Sequence, residues 1–165
     1  MTKRIEGRVR RLGHHVRVDQ IYPARYDHVR EPDEMRRHLF EELDPDLSGK
    51  TNSGDIIVAG RIFGLGPRSE SAAVALVKSG IGCIIAESFE RHFYREAVNQ
   101  GLVVLEQPEA RDRIRDGEMI EIDLDGGEIR CKKGPLKLQP CPQPIARILR
   151  AGGLLAYVRD VIGQK

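Results

Sequence analysis

The sequence predicts an α/β fold built on a parallel sheet buried on both faces, with a second, outer antiparallel layer. Residues 56–63, 81–86 and 102–105 are apolar runs of strand length, the first interrupted only at Gly60-Arg61. Helix-length segments, residues 70–78 and 89–100, separate them. A strand covered on one face alternates apolar with polar, so unbroken apolar strands joined by helices belong to a parallel sheet covered on both sides. Alternating stretches on either flank supply candidates for the antiparallel layer.

Along the chain, Lys3, Arg4, Arg8, Arg10 and Arg11 are interleaved with Ile5, Val9 and Leu12. That is the pattern of a half-exposed strand rather than of a nucleic-acid arm. The alternation runs through residues 8–21 with a break at Gly13. Met35, Leu39 and Leu43 fall at i, i+4 and i+8, which predicts a helix over residues 32–43. Asp44-Pro45-Asp46 and residues 49–54 read as loop. The segment 70–78 is rich in Ala, Val and Leu and stops at Ser79-Gly80. In the segment 89–100, Phe89, Phe93, Ala97 and Val98 share one face, and Gly101 is a good residue just past the helix end. Met119, Ile120, Ile122, Leu124 and Ile129 alternate within residues 119–131, with Asp125-Gly126-Gly127 as a hairpin turn. Residues 135–144 are Pro-rich and read as extended. Gly152-Gly153 divides the helical stretch 145–161 into two short helices.

The composition fits a single domain spanning residues 1–165: 40% of residues are apolar and 32% charged. A formal net charge of +2 gives no argument for nucleic acid. No apolar run has the length of a membrane span or secretory segment, so a cytoplasmic protein is expected. Cys83, Cys131 and Cys141 are widely spaced and form no C-x-x-C pair, so neither a disulfide framework nor a metal site is expected.

The segment best suited to chemistry is Phe63-Gly64-Leu65-Gly66-Pro67-Arg68-Ser69-Glu70-Ser71. It joins a buried strand to a helix at the carboxyl edge of the sheet, where open α/β folds bind ligands. Gly64 and Gly66 allow close backbone approach, the helix N-terminus favours an anion, and Arg68 offers a fork for a carboxylate. The dinucleotide and P-loop fingerprints are both incomplete. The plainer alternative is a tight turn with Ser69 as helix cap and Arg68 in solvent.

The run from Gly54-Asp55-Ile56-Ile57-Val58-Ala59-Gly60-Arg61-Ile62-Phe63 to Gly66 resembles the start of the signature of 3-isopropylmalate dehydratase small subunits, in the aconitase family. Residues 84–102, the segment from Val16 to Pro23, Glu42-Leu43-Asp44-Pro45 and residues 148–154 are similar to the same family, in the same order. The resemblance implies a three-layer β/β/α swivelling domain like the last domain of aconitase. It implies a separate large subunit carrying a [4Fe-4S] cluster, with no cofactor bound by this chain. The implied reaction is dehydration and rehydration of a hydroxy-di- or tricarboxylate, as in leucine biosynthesis, with no role for nucleic acid or membrane.

The resemblance breaks at the site. The family reads Gly-x-Gly-Ser-Ser-Arg-Glu, with the first Ser as catalytic base; here Pro67 stands at that serine, Arg68 at the second and Ser69 at the arginine. Glu70 keeps its place. Where the family has Asp-Thr-Asp-Gln, this chain has Arg17-Val18-Asp19-Gln20, preceded by His14-His15, which reads as a solvent-exposed turn. The expected catalytic residues are Asp19, by the cluster, and Ser69 as displaced base; Gly64, Gly66, Arg68 and Glu70 are expected to bind substrate. Arg91 and Arg95 lie on the helix within residues 84–102, with Arg95 at a family position. Two alternatives stand beside this reading: a related hydro-lyase with a different substrate (homoaconitate- or citramalate-type, or a more anionic tricarboxylate or phosphorylated acid), or a non-catalytic regulatory paralogue that lost the base.

Overall fold

The computed structural model describes residues 4–47 and 49–164. Strand β1 (Arg4–Arg11) is where the two halves of one seven-stranded sheet meet. On one side it runs parallel to β2 (Ile56–Ala59), which is followed outward by β3 (Cys83–Ala86) and β4 (Val103–Glu106), all parallel. On the other it pairs antiparallel with β5 (Met119–Asp123), followed by β6 (Glu128–Arg130) and β7 (Leu136–Lys137).

Why β2 and β3 are apolar at every position is visible in the two cores. Side chains alternate faces along a strand. Ile57, Ala59, Ile84, Ala86 and Val104 pack with residues of α3 (Ser69–Lys78) and α4 (Arg91–Asn99), among them Leu76, Phe93 and Ala97. Their neighbours Ile56, Val58, Cys83, Ile85 and Val103 pack with Ile120, Ile122, Ile129 and Leu136 of the antiparallel half. The antiparallel half thus folds back over one face of the parallel half, and the helices cover the other, giving β/β/α layers. Each fully buried Ile or Phe contributes about 1.5–3 kcal/mol from removal of apolar area from water, so every residue of β2 and β3 is used.

The structure departs from the sequence pattern in three places. Strand β2 stops at Ala59 rather than at residue 63: the chain turns through residues 60–63, with Ile62 at φ 54°, before Phe63 bridges to Phe89. Helix α2 (Pro32–His38) ends early because Phe40 takes φ 62° and donates its N–H to the Ile21 carbonyl at 2.9 Å. That exit leaves Leu39 and Phe40 both fully buried. Residues 8–21 are a strand only to Arg11; His15 turns the chain at φ 56°, and α1 (Val18–Ile21) follows. Near the C-terminus, α6 (Gln143–Ala151) and α7 (Leu154–Gly163) are divided at Gly152-Gly153 as expected, Gly152 being left-handed at φ 92°. The short helix α5 (Ala110–Arg113) packs on the β/β side.

Candidate functional site

The connections that leave β1, β2 and β3 all emerge at the carboxyl edge of the parallel half, and backbone hydrogen bonds hold them together. Gly64 and Leu65 N–H donate to the Val16 carbonyl at 2.8 and 3.2 Å, and Val18 N–H donates to the Leu65 carbonyl at 2.7 Å. Phe63 N–H reaches the Ser88 carbonyl at 3.0 Å, and Glu90 N–H returns to the Phe63 carbonyl at 2.9 Å. These bonds bring Asp19, at the start of α1, to the loop that opens α3.

Gly64 and Gly66 are required here for two physical reasons. Their φ values are 96° and 122°, open to glycine and costly for other residues. A Cβ on Gly64 would also lie 2.3 Å from the Phe93 ring, and one on Gly66 would lie 2.7 Å from the Val18 side chain. The loop is therefore pressed onto both α4 and α1.

Pro67 and Arg68 follow, exposed, with Arg68 as N-cap of α3. Ser69 is the first helical residue, one position inside the expected cap. It is buried, with Oγ 3.5 Å from the Gly66 carbonyl. Glu70 is exposed in the first turn. The Arg68 guanidinium is ion-paired with Asp27 and lies 3.4 Å from Ser71 Oγ. Asp19 is exposed and accepts from Arg17 Nε at 3.1 Å. Both cations introduced into the site thus already hold an internal carboxylate.

Sequence reasoning missed several neighbours. His14 and His15 do lie on an exposed turn, but the His14 ring is anchored: Nδ1 accepts the Arg61 backbone N–H at 2.9 Å, and Glu87 Oε2 lies 4.0 Å from the same nitrogen. Arg61 Nε is 3.8 Å from that carboxylate. Ser88 Oγ accepts the Ile62 N–H at 2.9 Å. Glu87 and Ser88 directly follow an apolar strand, and that position was the available signal. The segment after Pro23, which carried no assignment, is bound down by its own network. Tyr26 stacks on His38 at 3.6 Å and its hydroxyl donates to Glu41 at 2.9 Å. Arg25 and His38 also contact Glu41, at 2.7 and 2.8 Å. The hydrogen bond from His38, then those from Tyr26 and Arg25, hold the Glu41 carboxyl below its ordinary range.

Arg91 and Arg95 are exposed on α4 and border a cavity of about 620 Å³ between α4, β4 and α6. The three cysteines lie apart: Cys83 is buried in β3, Cys131 donates to the Gly134 carbonyl and Cys141 is exposed. Among the described residues no three His, Cys, Asp or Glu side chains converge as a metal-ligand set, and no helix is long and apolar enough to cross a membrane.

The family model of the aconitase C-terminal domain matches residues 4–110. The 3-isopropylmalate dehydratase small subunit of Halothermothrix orenii is 42% identical over 96% of this chain and 98% of its own length. That of Aquifex aeolicus is 40% identical with both chains fully covered. The crystal structure of 3-isopropylmalate dehydratase from Methanocaldococcus jannaschii superposes with a TM-score of 0.88 at 37% identity, covering 98% of each chain. On end-to-end similarity in both sequence and fold, this chain belongs to the aconitase C-terminal-domain family, among the small subunits of 3-isopropylmalate dehydratase.

Proposed function

We propose that the chain is the small subunit of a hydro-lyase that isomerises a hydroxy-di- or tricarboxylate, of the 3-isopropylmalate kind, by dehydration and rehydration. The observation that carries this reading is the docking of residues 16–19 on residues 64–66, which sets Asp19 beside the loop and first turn of α3. A small subunit works with a large one, and we assign the [4Fe-4S] cluster to that partner. The cluster supplies Lewis acidity for the substrate hydroxyl. This chain, all of residues 1–165 acting as one swivelling domain, closes the other side of the site.

In this assignment Arg68 takes a substrate carboxylate, exchanging Asp27 for it. The Gly64–Gly66 backbone lies against the substrate, and Glu70 accepts a hydrogen bond from it. Asp19, as the protonated acid, gives its proton to the departing hydroxyl, which leaves as water, while Ser69, as its alkoxide, takes the proton from the adjacent carbon and becomes the hydroxyl; rehydration at the neighbouring position reverses both transfers and restores both groups. Ser69 stands at the first position of the ten-residue α3, where the positive end of the helix favours the alkoxide form that takes the proton.

The test is anaerobic reconstitution with the large subunit. Ser69→Ala and Asp19→Asn should each lower kcat by roughly 100-fold or more, with assembly unchanged. Full activity of Ser69→Ala would remove Ser69 from the mechanism. One observation favours a second reading, a paralogue that binds an acid without converting it: Ser69 Oγ is buried and turned to the Gly66 carbonyl, and Pro67 has no hydroxyl. An assembled complex that binds the acid but never turns it over would select that reading. The more anionic substrate is the weaker reading, because the relatives about 40% identical to this chain are named for 3-isopropylmalate.

A further inference from the structure

Helix α7 carries an apolar face that the other described residues leave uncovered. Leu155 is 73% exposed and Ile162 66%, with Leu154, Val158 and Val161 at 37%, 40% and 42%. At 100° per residue these five side chains fall within an arc of about 120°. None of the helix's residues is buried. A free helix of this length is marginal in water, and an apolar stripe is stable when another element covers it.

The stripe is mounted rather than loose. A Cβ on Gly153 would lie 2.7 Å from the Asn99 carbonyl oxygen, and one on Gly101 would lie 2.4 Å from that of Gly152. Backbone packs directly on backbone there, which sets the direction in which α7 leaves the turn between α4 and β4.

We infer that α7 pairs with α7 of a second copy of this chain, antiparallel, about a two-fold axis through Val158. Two features single out this occupant. First, the exposed pattern Leu154-Leu155-x-x-Val158-x-x-Val161-Ile162 is symmetric about Val158, both along the helix and around it. An antiparallel pair sets Leu154 against Ile162, Leu155 against Val161 and Val158 against itself, the self-complementarity a two-fold interface needs. Second, α7 is rooted beside Asn99 and Gly101, at the amino end of β4, whereas the loops that hold Asp19 and Ser69 leave the carboxyl ends of the strands. A partner that completes the site at the carboxyl edge leaves that root free. A ten-residue helix is about 15 Å long, shorter than a standard interface needs, so the pairing is concentration-dependent.

The experiment is sedimentation equilibrium of the full chain, with Cys141→Ser to remove the exposed thiol. The mass should rise with concentration from 18.6 kDa to twice that. Leu155→Asp should raise the dimer dissociation constant roughly tenfold or more by placing a charge in the dry interface, with the thermal unfolding of the monomer unchanged. Val158→Cys should cross-link to itself on mild oxidation, and Asp160→Cys, on the opposite face, should not. A chain monomeric at every concentration, a dimer indifferent to Leu155→Asp, or a Val158→Cys that does not cross-link overturns the inference. So does a monomer whose Leu155→Asp variant loses only the large subunit, which would give the stripe to that subunit.

Discussion

Arg68 is ion-paired with Asp27, so the guanidinium assigned to the substrate carboxylate already holds a carboxylate of the protein's own. The two side chains are 44% and 39% exposed, which makes the pair weak and exchangeable. Asp27 closes the short segment after Pro23, and Tyr26, next to it, is tied to Glu41 and His38. A substrate that takes Arg68 therefore releases one end of that segment.

Asp27→Asn should lower KM roughly two- to five-fold with kcat little changed, since exposed pairs are worth about 0.2–1 kcal/mol. Arg68→Ala should raise KM roughly tenfold or more, the scale of a hydrogen bond to a charged group. Steady-state kinetics of the reconstituted complex checks both. A rise in KM for Asp27→Asn would mean that Asp27 orients Arg68 rather than competing for it.

Ile62 stands at φ 54°, where a β-branched side chain costs about 1–3 kcal/mol, and 39% of it is exposed, so little burial offsets that cost. Ile62→Asn, a residue that tolerates this conformation, should stabilise the chain by about 1 kcal/mol, or roughly 2–4 °C in Tm. Phe40 has a similar φ of 62° but is fully buried, so Phe40→Asn should lose about 3–5 kcal/mol. Thermal unfolding separates the two; a lower Tm for Ile62→Asn would show that the turn is held by its side chain.

Ile62 also shows where the sequence could be read and where it could not. Apolar runs reported burial correctly: Ile56 to Ala59 and Cys83 to Ala86 are strands buried on both faces. Ile62 and Phe63 prolong the first run in sequence but lie in a turn, because apolarity marks burial without marking φ. Leu39 misled in the same way: its spacing from Met35 fits a helix, yet Phe40 bonds to Ile21 and pulls the chain out. Within the site, Gly64 and Gly66 marked a close backbone approach, and the approach visible in the fold is to Phe93 and Val18. The Asp27–Arg68 pair and the seat of His14 under Gly60 were not, since contacts between distant segments leave no local spacing to read.

Glu41 ties together His38, Tyr26 and Arg25, and its folded carboxyl is held below the ordinary value of 4.5. The sign follows from linkage: a depressed carboxyl stabilises the fold above its unfolded value, and that contribution is lost as pH falls through the folded one. Residues 24–27 should therefore loosen on acidification below the ordinary carboxylate range. Glu41→Gln should show the loosened segment at neutral pH and little further change with acid. Amide exchange at Tyr26 and Asp27 measures this; wild-type protection unchanged at low pH would detach the segment from Glu41.

Gly60 makes room for the His14 imidazole. A Cβ there would lie 2.1 Å from Nδ1, and the three nearest atoms all belong to that ring. The Arg61 N–H fixes Nδ1 as acceptor, so the neutral ring carries its proton on Nε2, away from the Glu87 carboxylate that lies 4.0 Å from Nδ1. Gly60→Ala should expel the ring, lose that hydrogen bond and cost about 1–2 kcal/mol. Because the obstruction is His14 itself, Gly60→Ala should cost much less when His14 is already Ala, a coupling of roughly 1 kcal/mol in a double-mutant cycle. Strictly additive losses would locate the damage in the backbone of residues 59–61 instead, and the loop leading to Gly64 would then owe its position to the chain turn and not to the imidazole beneath it.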